Sequence, residues 1–198
     1  MDRMMRCVAG VPNFIRRGKA ALSGGTINPS LISDMRENSE ALRSIIPEFR
    51  VRLASLEAKQ EIKASTSYLG TEMQMHTVHQ RRYGLALTIG IMLNLALSSL
   101  DVVSIATLKV ENEEFVTEIL SIWRNIANYK PIGSVCLQLY LNLAWAGTSS
   151  VTQRQEIERI LEEMETKFVT GSVPRPTHEE LGEMENHLRL QKVSVYDI

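Results

Sequence analysis

The sequence predicts an all-α fold, an irregular helical bundle with two apolar central helices. Three observations predict it. Tyr83 to Leu100 and Pro131 to Gln153 hold no charged residue in a chain that is 23% charged, so protein or lipid rather than water must surround them. Elsewhere, apolar residues recur in steps of three and four, the spacing of one helical face. Helix-capping patterns punctuate the chain, whereas strand alternation is confined to Lys192 to Tyr196.

Hydrophobic content of 44% over 198 residues supplies a core without disulfides or metals. Cys7 and Cys136 alone make no disulfide framework and suit a reducing compartment. A formal net charge of −1 argues against a chain that coats nucleic acid through overall charge. Three divisions are expected: a basic flexible segment over 1–27, a helical bundle domain over 28–170, and a linker with a short helix and tail over 171–198.

The first segment holds Arg3, Arg6, Arg16, Arg17 and Lys19 against Asp2. That charge suits a mitochondrial presequence, but Gly10, Pro12 and Gly18 interrupt the amphipathic helix such a leader forms, and a solvated, flexible terminus is expected. Cys7 to Ile15 is too short and broken for a secretory signal. Ser23-Gly24-Gly25-Thr26 reads as a joint, and Asn28-Pro29 as a helix cap with proline at the first helical position. From Ser39 to Ile62, Leu42, Ile45, Ile46, Phe49, Leu53, Leu56 and Ile62 form one face. Pro47 should kink that helix or divide it in two. Glu40, Arg43, Arg50, Arg52, Glu57, Lys59 and Glu61 fall on the opposite side, read as a solvated surface.

Residues 83–100 are apolar nearly all round, as in a bundle centre or a membrane span. The next helix is expected from about Glu111 to Ala127, burying Phe115, Ile119, Ile122, Trp123 and Ile126. Glu111, Glu113 and Glu114 would crowd its first turn, where the helix dipole favours negative charge. Asn128 to Gly133 breaks it. A second apolar helix follows around Val135 to Trp145. Thr152 with Gln155 resembles a capping box, opening a helix that buries Ile157, Ile160, Leu161, Met164 and Phe168. Gly171 to Pro176 is a linker, and Thr177 with Glu180 makes a second capping box for a short polar helix.

A membrane span needs about 20 predominantly apolar residues. The first uncharged stretch is interrupted by Gly84, Thr88, Gly90, Asn94, Ser98 and Ser99, the second by Gln138 and Asn142, and mean hydropathy is −0.09. Buried core helices are expected, with a membrane-associated protein as an alternative. Glu72, His76 and His79 lie four and three apart, one helical face that can hold zinc or iron. The histidine-glutamate-x-x-histidine pattern that adds a base is absent, so a solvated helix turn is expected there, with a small metal-dependent enzyme as the alternative.

Cys136, on an apolar helix without a nearby histidine, reads as a buried inert thiol, and Cys7 as an exposed terminal one. Ser23-Gly24-Gly25 lacks the lysine and strand of a phosphate loop. Arg16-Arg17-Gly18-Lys19 is a small basic cluster. Trp123, Trp145, Tyr83, Tyr129 and Tyr140, with Asn94, Gln138 and Asn142, can line a pocket between helices or simply pack. No catalytic, cofactor or metal residue is assigned.

Tyr83-Gly84-Leu85-Ala86-Leu87 and Ile91 to Asn94 are followed by an acidic helix. Tyr129-Lys130-Pro131-Ile132-Gly133, Leu143-Ala144-Trp145 and Ile157-Glu158-Arg159-Ile160-Leu161 come next. In this order, over roughly residues 68–170, the chain resembles the C-terminal regulatory region of fungal binuclear zinc-cluster transcription factors. The six-cysteine DNA-binding module of that family has no counterpart in a chain with two cysteines. The resemblance implies the regulatory half of such a factor, as a truncated product, a fragment or a stand-alone relative. It implies a non-enzymatic nuclear protein (cytoplasmic where the resemblance is set aside) acting through protein partners, a small-molecule effector or a second copy of itself, without direct nucleic-acid binding. The faces of Glu111 to Ile126 and Arg154 to Phe168 would do this work by a packing change.

Overall fold

In the computed structural model, residues 2–24, 27–63, 71–100, 105–126, 134–167 and 175–191 are described. They form seven α-helices: α1 Asp2–Gly24, α2 Pro29–Lys63, α3 Thr71–Leu100, α4 Ile105–Ile126, α5 Ser134–Gly147, α6 Val151–Lys167 and α7 His178–Leu188. The all-α bundle expected from the sequence is the observed architecture. The expected strand at Lys192 to Tyr196, and Tyr129, Phe168 and the break at Asn128 to Gly133, lie outside the described residues.

α3 is the hub. It packs against α1, α2, α4, α5 and α7, and α5 packs in turn against α4, α6 and α7. These are the two apolar helices, and their side chains Leu87, Ile91, Leu93, Leu95, Leu141, Ala144 and Trp145 are buried. Helix α3 is apolar enough over Met75–Leu100 to cross a membrane by length and composition, and 78% of its apolar window is buried against the rest of the protein. Close approach at the hub depends on missing Cβ atoms. A Cβ on Gly84 would stand 2.6 Å from the Tyr140 ring, one on Gly90 2.6 Å from the Phe115 ring, and one on Gly147 2.7 Å from Ile91.

The N-terminal segment departs from expectation. Residues 2–24 are helical through Gly10, Pro12 and Gly18. Met4, Cys7, Val11, Phe14 and Ile15 follow helical spacing and are all buried, against α2 and α3. An interior proline costs about 3 kcal/mol and a glycine roughly 0.5–1. Five buried apolar side chains at about 1.5–3 kcal/mol each offset that.

α2 likewise runs through Pro47 as one helix. Its buried stripe, Leu42, Ile46 and Leu53, keeps one phase on both sides of the proline, and Pro47 is exposed, where water can serve the carbonyl its missing N–H leaves free. The start of α2 follows the sequence: Asn28 Oδ1 accepts from the Ser30 amide at 2.9 Å.

α4 begins at Ile105, six residues before Glu111. Its acidic residues therefore stand beyond the first turn, out of the dipole's reach, and serve tertiary contacts instead. α6 begins at Val151 rather than beyond Thr152. Ser150 and Gln153 repeat the capping pattern two residues earlier, with Ser150 Oγ 3.4 Å from the Gln153 amide. The Thr177–Glu180 capping box is present in both directions. α7 ends in a Schellman motif, with Leu190 N donating to His187 O and Gln191 N to Asn186 O. Leu190 occupies the left-handed position at φ 57°, and its buried side chain lies against Gly18 of α1, where a Cβ would be 2.5 Å away. The chain's first and last helices are thus in contact.

Candidate functional site

Two buried polar residues, Asn94 and Asn112, lie on a seam where α2, α3 and α4 meet. Arg43 of α2 donates to Glu111 of α4 twice, Nε to Oε1 at 2.5 Å and Nη2 to Oε2 at 2.7 Å. Asn94 of α3 donates from Nδ2 to Glu111 Oε2 at 2.7 Å and to Asn112 Oδ1 at 3.0 Å. Asn94 and Asn112 are both buried, so an uncharged amide pair carries the ionic contact into the core. Arg43 and Arg50 stand on the face read from sequence as solvated; Arg50 is exposed there, yet both reach neighbouring helices, Arg50 meeting Glu118 and the Tyr83 hydroxyl. Glu111 holds the Arg43 guanidinium in its charged form by hydrogen bonding, against the opposing effect of burial.

The seam opens into a pocket of ≈190 Å³. Its apolar wall includes Leu95, Ile105 and Leu108, and its polar wall includes Asn112, Lys109 and Arg189. The connection between α5 and α6 closes one side. There Glu113 accepts from Thr148 Oγ1 at 2.6 Å, Ser149 N at 2.9 Å and Ser149 Oγ at 3.1 Å. Burial alone would raise the Glu113 pKa, but these donors and the Lys109 charge together lower it. From the other side, Arg154 of α6 donates to Thr148 O at 3.0 Å and to Glu185 of α7 at 2.9 Å, and Glu185 accepts from Arg189 Nε at 2.9 Å. The Arg154 guanidinium also lies 4.1 Å from the centroid of Trp145.

The residues singled out from sequence are largely elsewhere. Of the aromatic and polar set, Asn94 alone lines this pocket. Trp145 donates to Glu158 at 2.8 Å and meets His178 edge-on at 5.1 Å. Tyr140 donates to the Arg81 carbonyl at 2.8 Å, and burial pushes its pKa up to about 12. Tyr129 is outside the described residues.

His76 and His79 are buried on α3, not on a solvated turn. His79 Nδ1 is 2.8 Å from Met75 O and His76 Nε2 is 3.6 Å from Glu57. Burial lowers the His76 pKa despite Glu57. The Glu72 side chain lies outside the described residues, and among those described no three His, Cys, Asp or Glu side chains gather as metal ligands do. The two cysteines reverse their expected places. Cys7 is buried, its pKa raised by that burial, and Cys136 is exposed. The basic cluster is divided around its helix, Arg17 pairing with Asp34 at 3.2 Å and Lys19 with His187 Nδ1 at 2.7 Å.

The seam was not legible in sequence except at Asn94, a polar residue inside an uncharged run. Arg43 and Glu111 are 68 positions apart, and periodicity carries no signal for such a pair. Comparison with protein-family models, curated proteins and solved structures gives no match to the chain.

Proposed function

We propose that this protein is a non-enzymatic regulatory domain whose helix packing responds to a bound effector, similar in role to the regulatory region of fungal zinc-cluster transcription factors. The observation that carries the reading is the seam. A pocket bounded by α3, α4 and the α5–α6 connection is bordered by hydrogen bonds that reach α2, α6 and α7. A molecule in that pocket touches groups whose partners lie on most of the bundle, so its binding energy can bias one packing over another. The quoted sequence resemblance supplies the regulatory context, a nuclear setting and protein partners. The domain itself is read as working through protein contacts and not by direct DNA contact.

The test is a reporter gene driven by this chain fused to a heterologous DNA-binding module. Output that differs from that of the module alone, and that shifts on Glu111→Ala, is the expected result. Output equal to the module alone in every reporter context contradicts the reading.

A further inference from the structure

The pocket beside the seam presents hydrogen-bond donors at one end and an apolar surface at the other. Arg189 uses Nε on Glu185, and its two terminal nitrogens have no hydrogen-bond partner among the described residues. Lys109 lines the same pocket and forms no ion pair among the described residues. Asn112 is 4% exposed. Its Oδ1 is taken by Asn94, which leaves its Nδ2 hydrogens for the pocket.

Ser149 Oγ donates to Glu113 and Ser98 Oγ donates to Leu95 O, so the acceptors these two hydroxyls leave are uncharged oxygens, and both polar atoms of Asn94 are engaged. Two cations and an amide donor facing one cavity suit a planar anion, since a guanidinium fork matches a carboxylate in two parallel bonds. Leu95, Leu108 and the half-covered Ile105 form the remaining wall, an apolar surface that a charged ion alone leaves uncovered.

We propose that this pocket binds a small organic monocarboxylate, its carboxylate on Arg189, Lys109 and Asn112 and its apolar body on Leu95, Ile105 and Leu108. The inference rests on the effector reading above and names the effector's chemical class. A volume of ≈190 Å³ sits below the usual range for drug-sized ligands, about 300–1,000 Å³, and limits the guest to a short chain or a single ring. Glu113 and Glu185 stand behind the donors and fix Ser149 and Arg189, and the Lys109 charge acts on Glu113 without a direct ion pair among the described residues. Because Arg189 follows α7 and Lys109 belongs to α4, a bound carboxylate ties these two helices together.

The test uses the intact chain, with hexanoate and benzoate as probes, hexanamide as the uncharged counterpart and inorganic phosphate as the bare anion. Binding is read by amide chemical-shift titration. Saturable shifts at Leu108, Lys109 and Asn112 with hexanoate or benzoate are expected, at least tenfold weaker with hexanamide and with phosphate. Lys109→Gln and Arg189→Gln, surface changes outside the apolar core, should each weaken carboxylate binding about tenfold while the unperturbed spectrum of α3 verifies the fold. Three results overturn the proposal: no saturable shift with either acid, equal binding of hexanamide, or equal binding of phosphate. Reporter output that differs from the module alone, combined with any of these, rejects the ligand class and leaves the regulatory reading standing. Carboxylate binding with an inert reporter does the reverse.

Discussion

Two helical glycines in this chain, Gly90 and Gly182, have opposite reasons to be there. Gly90 lets the Phe115 ring reach the α3 backbone, and an added Cβ would come within 2.6 Å of it. Phe115 is buried and cannot swing away. Alanine at 90 gains about 1 kcal/mol of helix propensity but overpacks the core by roughly 1–3 kcal/mol, so Gly90→Ala is expected to lower stability in denaturant titration. Gly182 of α7 has open space around its Cβ position. Gly182→Ala should therefore raise stability by about 0.5–1 kcal/mol in the same measurement. Glu111 is a harder loss. Glu111→Ala strands the Arg43 charge and one amide hydrogen of Asn94. Arg43 keeps 38% of its side chain in solvent, so the ion pair itself counts for little, and most of the cost, about 2 kcal/mol, comes from the buried amide left without an acceptor.

At the scale of elements, the connection between α5 and α6 depends on a carboxylate. Glu113 is held below its ordinary pKa by Thr148 and Ser149 despite burial. A carboxylate with a folded-state pKa below the unfolded value contributes stability above the unfolded value and loses it as pH falls through the folded one. The melting temperature should therefore drop on acidification below about pH 4.5. Glu113→Gln should lower it near neutrality and narrow its gap to wild type as pH falls, as thermal melts across pH would record. The end of α7 offers a second test. Leu190 pays the left-handed strain where glycine is usual, because its side chain is buried against Gly18. Leu190→Gly removes strain of about 1–3 kcal/mol but forfeits roughly 2–5 kcal/mol of packing. Net destabilisation, read by chemical denaturation, is the expected outcome.

Across the whole molecule, what could be read locally was legible. The uncharged runs announced α3 and α5, Asn28-Pro29 announced the start of α2, and Thr177 with Glu180 announced α7. These signals lie within one turn or one face of a helix. What failed depended on partners far away in sequence. Pro12 and two glycines argued against α1, yet Met4, Cys7 and Val11 had the spacing of a buried stripe, and α2 and α3 supply its other half. The same phase places Cys7 inside, and the phase of Cys136 and exposed Leu139 places them outside. The candidate pocket was the least legible part, since Lys109 and Asn112 stand on α4 while Arg189 follows α7, and none of them belongs to a motif.

If binding acts through helix packing, a stable α3–α5 core should carry a responsive periphery, made of the first turns of α4, residues 148–150 and the end of α7, joined by the Glu113 and Arg154–Glu185–Arg189 contacts. Residue-resolved native-state hydrogen exchange on the intact protein reads this out amide by amide. Amides in those three segments should open together, at a common free energy well below that of α3, and Glu113→Gln should lower all of them at once. Independent opening of the three segments, or opening as costly as that of α3, would contradict it.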